Sequence, residues 1–246
     1  RGQARAFLDG LHARPPALVE LRRGLGDVDA RIDLDFAAPL GDAWAIHQPL
    51  ALVRDAPSAS LHIDRIGGNV IAAQPITWPG GHTTLEVDLD LVRVEWGEDL
   101  RIQLVDGAGK RVLAIGASGR GGTGAQWVDL YCTIREQQAP HPIRLDLDRP
   151  EGPGRHVLRA VLDPARGEGS CTIRGADGRE VFYHRLAQVP DVAVAPLAEL
   201  QIDSGGSANI AGWVSADVRR ISLVGVTPRP DDAATPWSHS ARKHSM

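Results

Sequence analysis

Aromatic residues make up only 4% of this 246-residue chain, and lysine occurs just twice, at Lys110 and Lys243. There are two cysteines, one methionine, and no apolar run approaching the ~18–20 residues that a membrane-crossing helix needs. Each shortage excludes something. With a net charge of -4, the chain offers no electrostatic ground for holding nucleic acid or an anionic membrane, so neither is expected as a partner. Cys132 and Cys171 stand far apart without nearby histidine pairs, which rules out a zinc site. The nine histidines are dispersed without helical metal spacing, so no metal ligands are assigned. No Gly-x-Ser-x-Gly elbow supports a Ser-His-Asp hydrolase. The glycine-rich stretch GASGRGGTG (116–124) lacks a following Gly-Lys-Ser/Thr and leads into a strand, so it reads as a flexible loop bordering a binding face.

What is present is alternation. In TTLEVDLDLVRVEWGEDLRIQLVDGAGKRVLA (83–114), Leu85, Val87, Leu89 and Leu91 fall on one side, and Glu86, Asp88 and Asp90 on the other. Side chains in a strand alternate faces, so this is a half-buried strand carrying a row of three carboxylates. Leu100, Ile102 and Leu104, a DGAGK turn and the run Val112–Ile115 follow, and together they predict an antiparallel meander. Further short strands are expected at Ile32–Phe36, Trp44–Val53, Ser60–Ile66, Asn69–Ala73 and Gln126–Ile134. Others are expected at Pro142–Asp148, Arg155–Leu162, Gly169–Arg174, Glu180–His184, Ala198–Asp203 and Val218–Val226. About a dozen strands joined by Gly, Pro and Asp turns, with helix almost absent after residue 24, indicate a sandwich or barrel.

Charged residues at 24% and hydrophobic ones at 43% place the chain among globular proteins with a sizeable core. Residues 1–24 read as a helical stalk or linker, with Ala4, Phe7, Leu8 and Leu11 on one helix face before Pro15-Pro16 ends it. Residues 29–226 read as one β-sandwich domain and 227–246 as a polar tail. Cys132 and Cys171 either pair or remain buried as small apolar thiols, and the thiol reading is favoured. The opening on Arg1, with the only methionine at Met246, suggests a segment of a longer protein whose leader or anchor lies upstream.

The segments GRHVLRAVLDPARGEGSCTIRGADGREVF (154–182) and ADVRRISLVGV (216–226) resemble bacterial laminin-G-like domains of the concanavalin A-like sandwich. A strand, a turn, a strand, a DG turn and a short strand succeed one another, and a final strand follows the small residues SGGSANIAGW. The similarity in strand pattern extends from about Asp29 to Val226. It implies an all-β, two-sheet antiparallel jelly-roll sandwich, which the short N-terminal helix read above would precede. Relatives of this type bind glycans or protein ligands, and many hold calcium through Asp side chains and loop carbonyls. No cofactor is therefore assigned beyond calcium as an optional ion, and no Asp ligands are singled out. Similar modules occur in bacterial signalling proteins.

Two rows of side chains carry candidate chemistry. LEVDLDL resembles the catalytic strand of laminarinase-type glycosidases, which implies Glu86 as nucleophile, Asp88 as modulator and Asp90 as acid/base. Alternate strand residues stand ~7 Å apart, near the separation that glycoside hydrolysis uses. The row departs from that family in having Asp90 where Glu is usual, and no aromatic-rich segment flanks it. In QWVDLYCTI, Trp127, Asp129 and Tyr131 share a face opposite Val128, Leu130, Cys132 and Ile134. Aromatic rings stack on sugars while a carboxylate accepts hydroxyl hydrogen bonds, so Trp127, Asp129 and Tyr131 are the expected ligand contacts.

The favoured reading is a non-catalytic recognition or sensor module for a glycan or a protein partner. It would belong to a larger bacterial, membrane-anchored signalling protein and face the extracytoplasmic side or cell surface. The alternatives are a glycan-active enzyme built on Glu86, Asp88 and Asp90, or an architectural domain whose partner is the upstream part of its own parent chain.

Overall fold

A computed structural model of the chain describes residues 28–36, 40, 42–47, 51–55, 58–66, 69–77, 81–121, 127–135, 137–144, 153–187, 189, 197–205 and 212–226. The expected N-terminal helix and the polar tail lie outside these residues. In chain order the strands are β1 (Val28–Leu34), β2 (Ala45–Ile46), β3 (Ala51–Asp55), β4 (Ser58–Ile66), β5 (Asn69–Thr77), β6 (Thr83–Val94), β7 (Asp99–Asp106) and β8 (Arg111–Arg120). They continue as β9 (Trp127–Ile134), β10 (Gln137–Arg144), β11 (Gly154–Asp163), β12 (Glu168–Gly175), β13 (Glu180–Ala187), β14 (Leu197–Ser204) and β15 (Trp213–Val226).

They form two antiparallel sheets. The eight-stranded sheet runs β13-β12-β11-β6-β15-β4-β3, and β1 pairs with the second half of β15 while β4 pairs with its first half. The seven-stranded sheet runs β10-β9-β8-β7-β14-β5-β2. The period-two pattern decides which side of each strand enters the core. Along β6, Leu85, Val87, Leu89 and Leu91 are buried, while Glu86, Asp88 and Asp90 are half-buried on the outer face. Leu100, Ile102 and Leu104 of β7, Val128, Leu130 and Ile134 of β9, and Leu158 and Leu162 of β11 join them in one continuous core between the sheets.

Several sequence expectations need correction. Residues 83–115 do not form one meander, because β6 belongs to the eight-stranded sheet whereas β7 and β8 belong to the other. The turn at 95–98 carries the chain across the end of the sandwich. A meander does follow, as β7-β8-β9-β10. The strand expected at Pro142–Asp148 begins instead at Gln137 and includes Pro140 and Pro142. It is an end strand of its sheet, and proline is tolerated where one side of the strand has no ladder to supply. The small residues before β15 hid its true start, at Trp213.

The cysteines are also corrected. Cys132 of β9 and Cys171 of β12 are fully buried and joined by a disulfide that links the two sheets through the core. Linear separation gave no hint of this, because only the stacking of the sheets brings the two strands face to face. A bond spanning 39 residues restricts the unfolded chain, and such bonds contribute ~2–4 kcal/mol. We expect the unfolded, unreduced protein to contain no free thiol by mass-shift labelling. The Cys132→Ala/Cys171→Ala variant should melt several degrees lower.

At the side of the sandwich where β10 and β13 end their sheets, His141 lies with its ring centroid 5.0 Å from Phe182, and Phe182 stacks on His184 at 6.2 Å. Burial lowers the pKa of His141 below its ordinary value, and the neighbouring His156 lowers it further. Burial likewise lowers His156, outweighing the opposing pull of the Gly154 carbonyl and Asp90. A histidine held neutral in the fold stabilises it above its unfolded pKa of ~6.5, and that stability is lost as pH falls below this value. We expect the melting temperature to drop between pH 7.5 and pH 5, and His141→Asn/His156→Asn to flatten that dependence.

Candidate functional site

The turn at 95–98 organises one end of the sandwich through backbone hydrogen bonds. The Glu95 N–H donates to the Trp213 carbonyl at 2.9 Å, and the Asp99 N–H to the Gly205 carbonyl at 2.7 Å. The Gly97 N–H donates to the Gly119 carbonyl at 3.2 Å, and the Gly119 N–H to the Glu98 carbonyl at 3.0 Å. The carboxylates of the turn add to this. Glu98 accepts from the Gly212 N–H at 3.0 Å, and Glu95 from the Trp213 N–H at 2.8 Å. Glu98 is only 1% exposed, and burial raises its pKa despite the Gly212 bond, with Glu95 and Asp99 pushing the same way. One turn therefore anchors the end of β8, the end of β14 and the start of β15.

Three tryptophans are set at that end. Trp96 is in the turn itself and is 39% exposed. It forms a bridge to Gly119, whose neighbour Arg120 is paired with Trp127 across the β8–β9 ladder. Trp127 is 38% exposed, and Trp213, half-buried, donates its indole N–H to Asp64. The glycine-rich stretch read as a loop is strand as far as Arg120, and its glycines allow close approach. A Cβ on Gly119 would come within 1.9 Å of the Glu95 carbonyl oxygen, so only glycine lets the turn dock there.

The row expected to contact ligand is divided by the structure. Trp127 is open to solvent, and Asp129 is half-buried and accepts from Arg120 Nε at 3.0 Å. Tyr131 is on the same sheet face but is only 2% exposed. The reason lies on the next strand. Tyr131 is opposite Gly116, and with no side chain there the ring lies across β8 toward β7. Its hydroxyl donates to Asp99 Oδ1 at 2.6 Å. Tyr131 is thus removed from the contact row and joins a polar layer beside it on the same face.

That layer crosses the middle of the seven-stranded sheet. Arg101 Nη2 donates to Asp203 at 2.7 Å, Gln103 Nε2 to Gln201 at 2.9 Å, and Arg111 Nε to Gln103 at 3.0 Å. Burial raises the Asp99 pKa, although the Tyr131 hydroxyl and the Arg101 and Arg111 charges partly offset it. Burial also holds the Tyr131 hydroxyl well above its ordinary pKa, so it remains a donor. Sequence reasoning missed Asp99, Arg101 and Asp203. Their alternation with Leu100, Ile102 and Ile202 was a usable signal, but only strand pairing shows that they meet.

Glu86, Asp88 and Asp90 are on the outer face of the other sheet. Arg155 clasps both oxygens of Asp88, at 2.9 and 2.7 Å, and Arg219 donates to Asp90 at 3.0 Å. In register, Glu86 stands between Arg159 of β11 and Ser222 of β15. Asp33 of β1 is held by Arg220 in the same two-pronged manner, which lowers its pKa. This face is a lattice of acid–arginine pairs across strands, in which opposite charges stabilise neighbouring strands. Among the described residues, no three His, Cys, Asp or Glu side chains are grouped to hold a metal ion. No described helix is long and apolar enough to cross a membrane.

No family model and no curated protein matches the chain in sequence. Its fold is similar to solved structures. One is the CBM2 module of the evolved Dit of Lactobacillus casei BL23 phage J-1, with 10% identity and a TM-score of 0.52 over 80% of this chain and 96% of that one. Another is the carbohydrate recognition domain of Emp47p, with 10% identity and a TM-score of 0.51 over 79% and 94% of the two chains. At such identity the likeness concerns the fold, and the chain has the lectin-like, concanavalin A-like jelly-roll sandwich.

Tyr131→Phe tests the polar layer. It strips the half-buried Asp99 of its hydroxyl donor, a loss of ~1 kcal/mol. We expect a lower urea midpoint with an unchanged slope.

Proposed function

We propose that the chain is a non-catalytic carbohydrate-recognition module that takes its glycan at the tryptophan end of the seven-stranded sheet. The observation that carries this reading is Trp127, an exposed indole beside the Arg120–Asp129 pair on a lectin-like sandwich. An indole face stacks on the apolar face of a pyranose, while the guanidinium and carboxylate serve its hydroxyls. The β8–β9 ladder and the Arg120–Asp129 pair set this surface before ligand arrives, which lowers the ordering cost of binding. The carbohydrate recognition domain of Emp47p, similar in fold, supports the same ligand class.

The enzymatic alternative draws little support. Arg219 pairs with Asp90, the residue that would act as acid/base, and Arg155 ties both oxygens of Asp88, the would-be modulator, so two of the three carboxylates are committed to cross-strand ion pairs. The finer parts of the reading rest on other grounds. The buried disulfide suits an oxidising compartment, which supports an extracytoplasmic or cell-surface location. The resemblance of 154–182 and 216–226 to bacterial laminin-G-like domains supports attachment to a larger signalling protein. Calcium plays no part in the proposed contact.

A glycan array followed by calorimetry tests the proposal. We expect binding that survives a chelator and weakens at least tenfold in Trp127→Ala, a change of ~1.4 kcal/mol. Glu86→Gln and Asp88→Asn should leave binding within twofold, and no reducing ends should be released. Turnover that disappears in Glu86→Gln would overturn the reading, as would unaltered binding by Trp127→Ala.

A further inference from the structure

Resting on that reading, we infer that Trp96 with the Arg93–Glu95 pair forms a second sugar subsite, so that the ligand is an electrically neutral oligosaccharide spanning Trp96 and Trp127. Two observations carry this. The first is a repeated arrangement. Trp127 is beside Arg120–Asp129, and Trp96 directly follows the Arg93–Glu95 pair. Each place offers an exposed indole, 38% and 39%, and an exposed guanidinium, 47% and 60%, paired with a carboxylate, joined by strand register at Trp127 and by chain adjacency at Trp96. Such a set serves one sugar ring, with apolar stacking from the indole and hydroxyl hydrogen bonds from the ion pair.

The second observation is spacing and charge. Trp96 bridges Gly119 on β8, and Trp127 belongs to β9, the next strand. Two strand intervals separate the indole-bearing backbones, about 10 Å. That is wider than one pyranose ring, so a single monosaccharide does not reach both platforms. Each arginine is already paired, and Glu95 is further committed to the Trp213 N–H. An acidic sugar would have to displace a carboxylate to reach either guanidinium, whereas a neutral hydroxyl uses the donors the pairs leave. Four backbone hydrogen bonds of Glu95, Gly97, Glu98 and Asp99 tie the turn that carries Trp96 to its neighbours, which limits the backbone entropy lost when a ligand docks.

The probes are cello-, manno- and galacto-oligosaccharides of one to six units, with polygalacturonate and heparin fragments as anionic counterparts. In the series that binds, affinity should rise at least tenfold from monosaccharide to hexasaccharide. Trp96→Ala should lose most of that gain while leaving the weaker short-ligand binding unchanged. Trp127→Ala should weaken ligands of every length. Trp96→Phe, which keeps an aromatic platform in the turn, should retain much of the gain and guards against a folding artefact. Wild-type hexasaccharide affinity in Trp96→Ala overturns the second subsite and leaves the glycan reading standing. Tighter binding of the anionic fragments overturns the inferred neutrality alone. If neither the three neutral series nor the anionic fragments bind, and the glycan array is also blank, both this inference and the glycan reading fail.

Discussion

Between Val94 and Asp99 the chain leaves one sheet and enters the other. This crossing must satisfy its own backbone groups at an end of the sandwich where no ladder continues, and it does so by borrowing partners from three neighbouring connections. Glycine at 97, with φ of 80°, makes the reversal possible, and Glu98, buried, caps the Gly212 N–H. The positions of Trp96, Trp127 and Trp213 depend on this turn. One indole sits in it, one starts the strand beyond the connection it anchors at Gly119, and one is bound to it through Glu95.

The two outer faces use the same residue types for different purposes. On the eight-stranded sheet, acids and arginines pair from strand to strand and leave an electrically balanced surface. On the seven-stranded sheet, Tyr131, Asp99, Arg101 and Asp203 sink into a polar layer beside the exposed Trp127. Burial makes the second arrangement more consequential. A buried carboxylate must be met by donors, and meeting them fixes the face rigidly. The disulfide and the apolar core join these faces into one body, so a platform at one end rests on the packing of the whole sandwich.

Much of the architecture was legible because it follows from alternation. The leucines and valines of β6 announced their own burial, and turn residues placed most strand ends within a few positions. What could not be read were facts that depend on which strands become neighbours. No pattern in EWGEDL tells whether the chain folds back in the same sheet or crosses to the other. Nothing in two Cys-Thr-Ile segments 39 residues apart says that the strands stack. Tyr131 shows the same limit at the candidate site. Its parity put it correctly on the face of Trp127, but its burial depends on Gly116, a residue of another strand with no side chain. Trp96 was passed over because it sits in a turn, where periodicity carries no information.

In the proposed function, ligand enters at the tryptophan end of the seven-stranded sheet. The most direct test follows the indole N–H resonances by two-dimensional NMR during titration with a neutral hexasaccharide. We expect the Trp127 and Trp96 signals to shift together with dose, while that of Trp44, buried in the core, stays in place. Shifts confined to the backbone of β6 and β11 around Asp88 and Arg155, with Trp127 and Trp96 unmoved, would contradict this proposal.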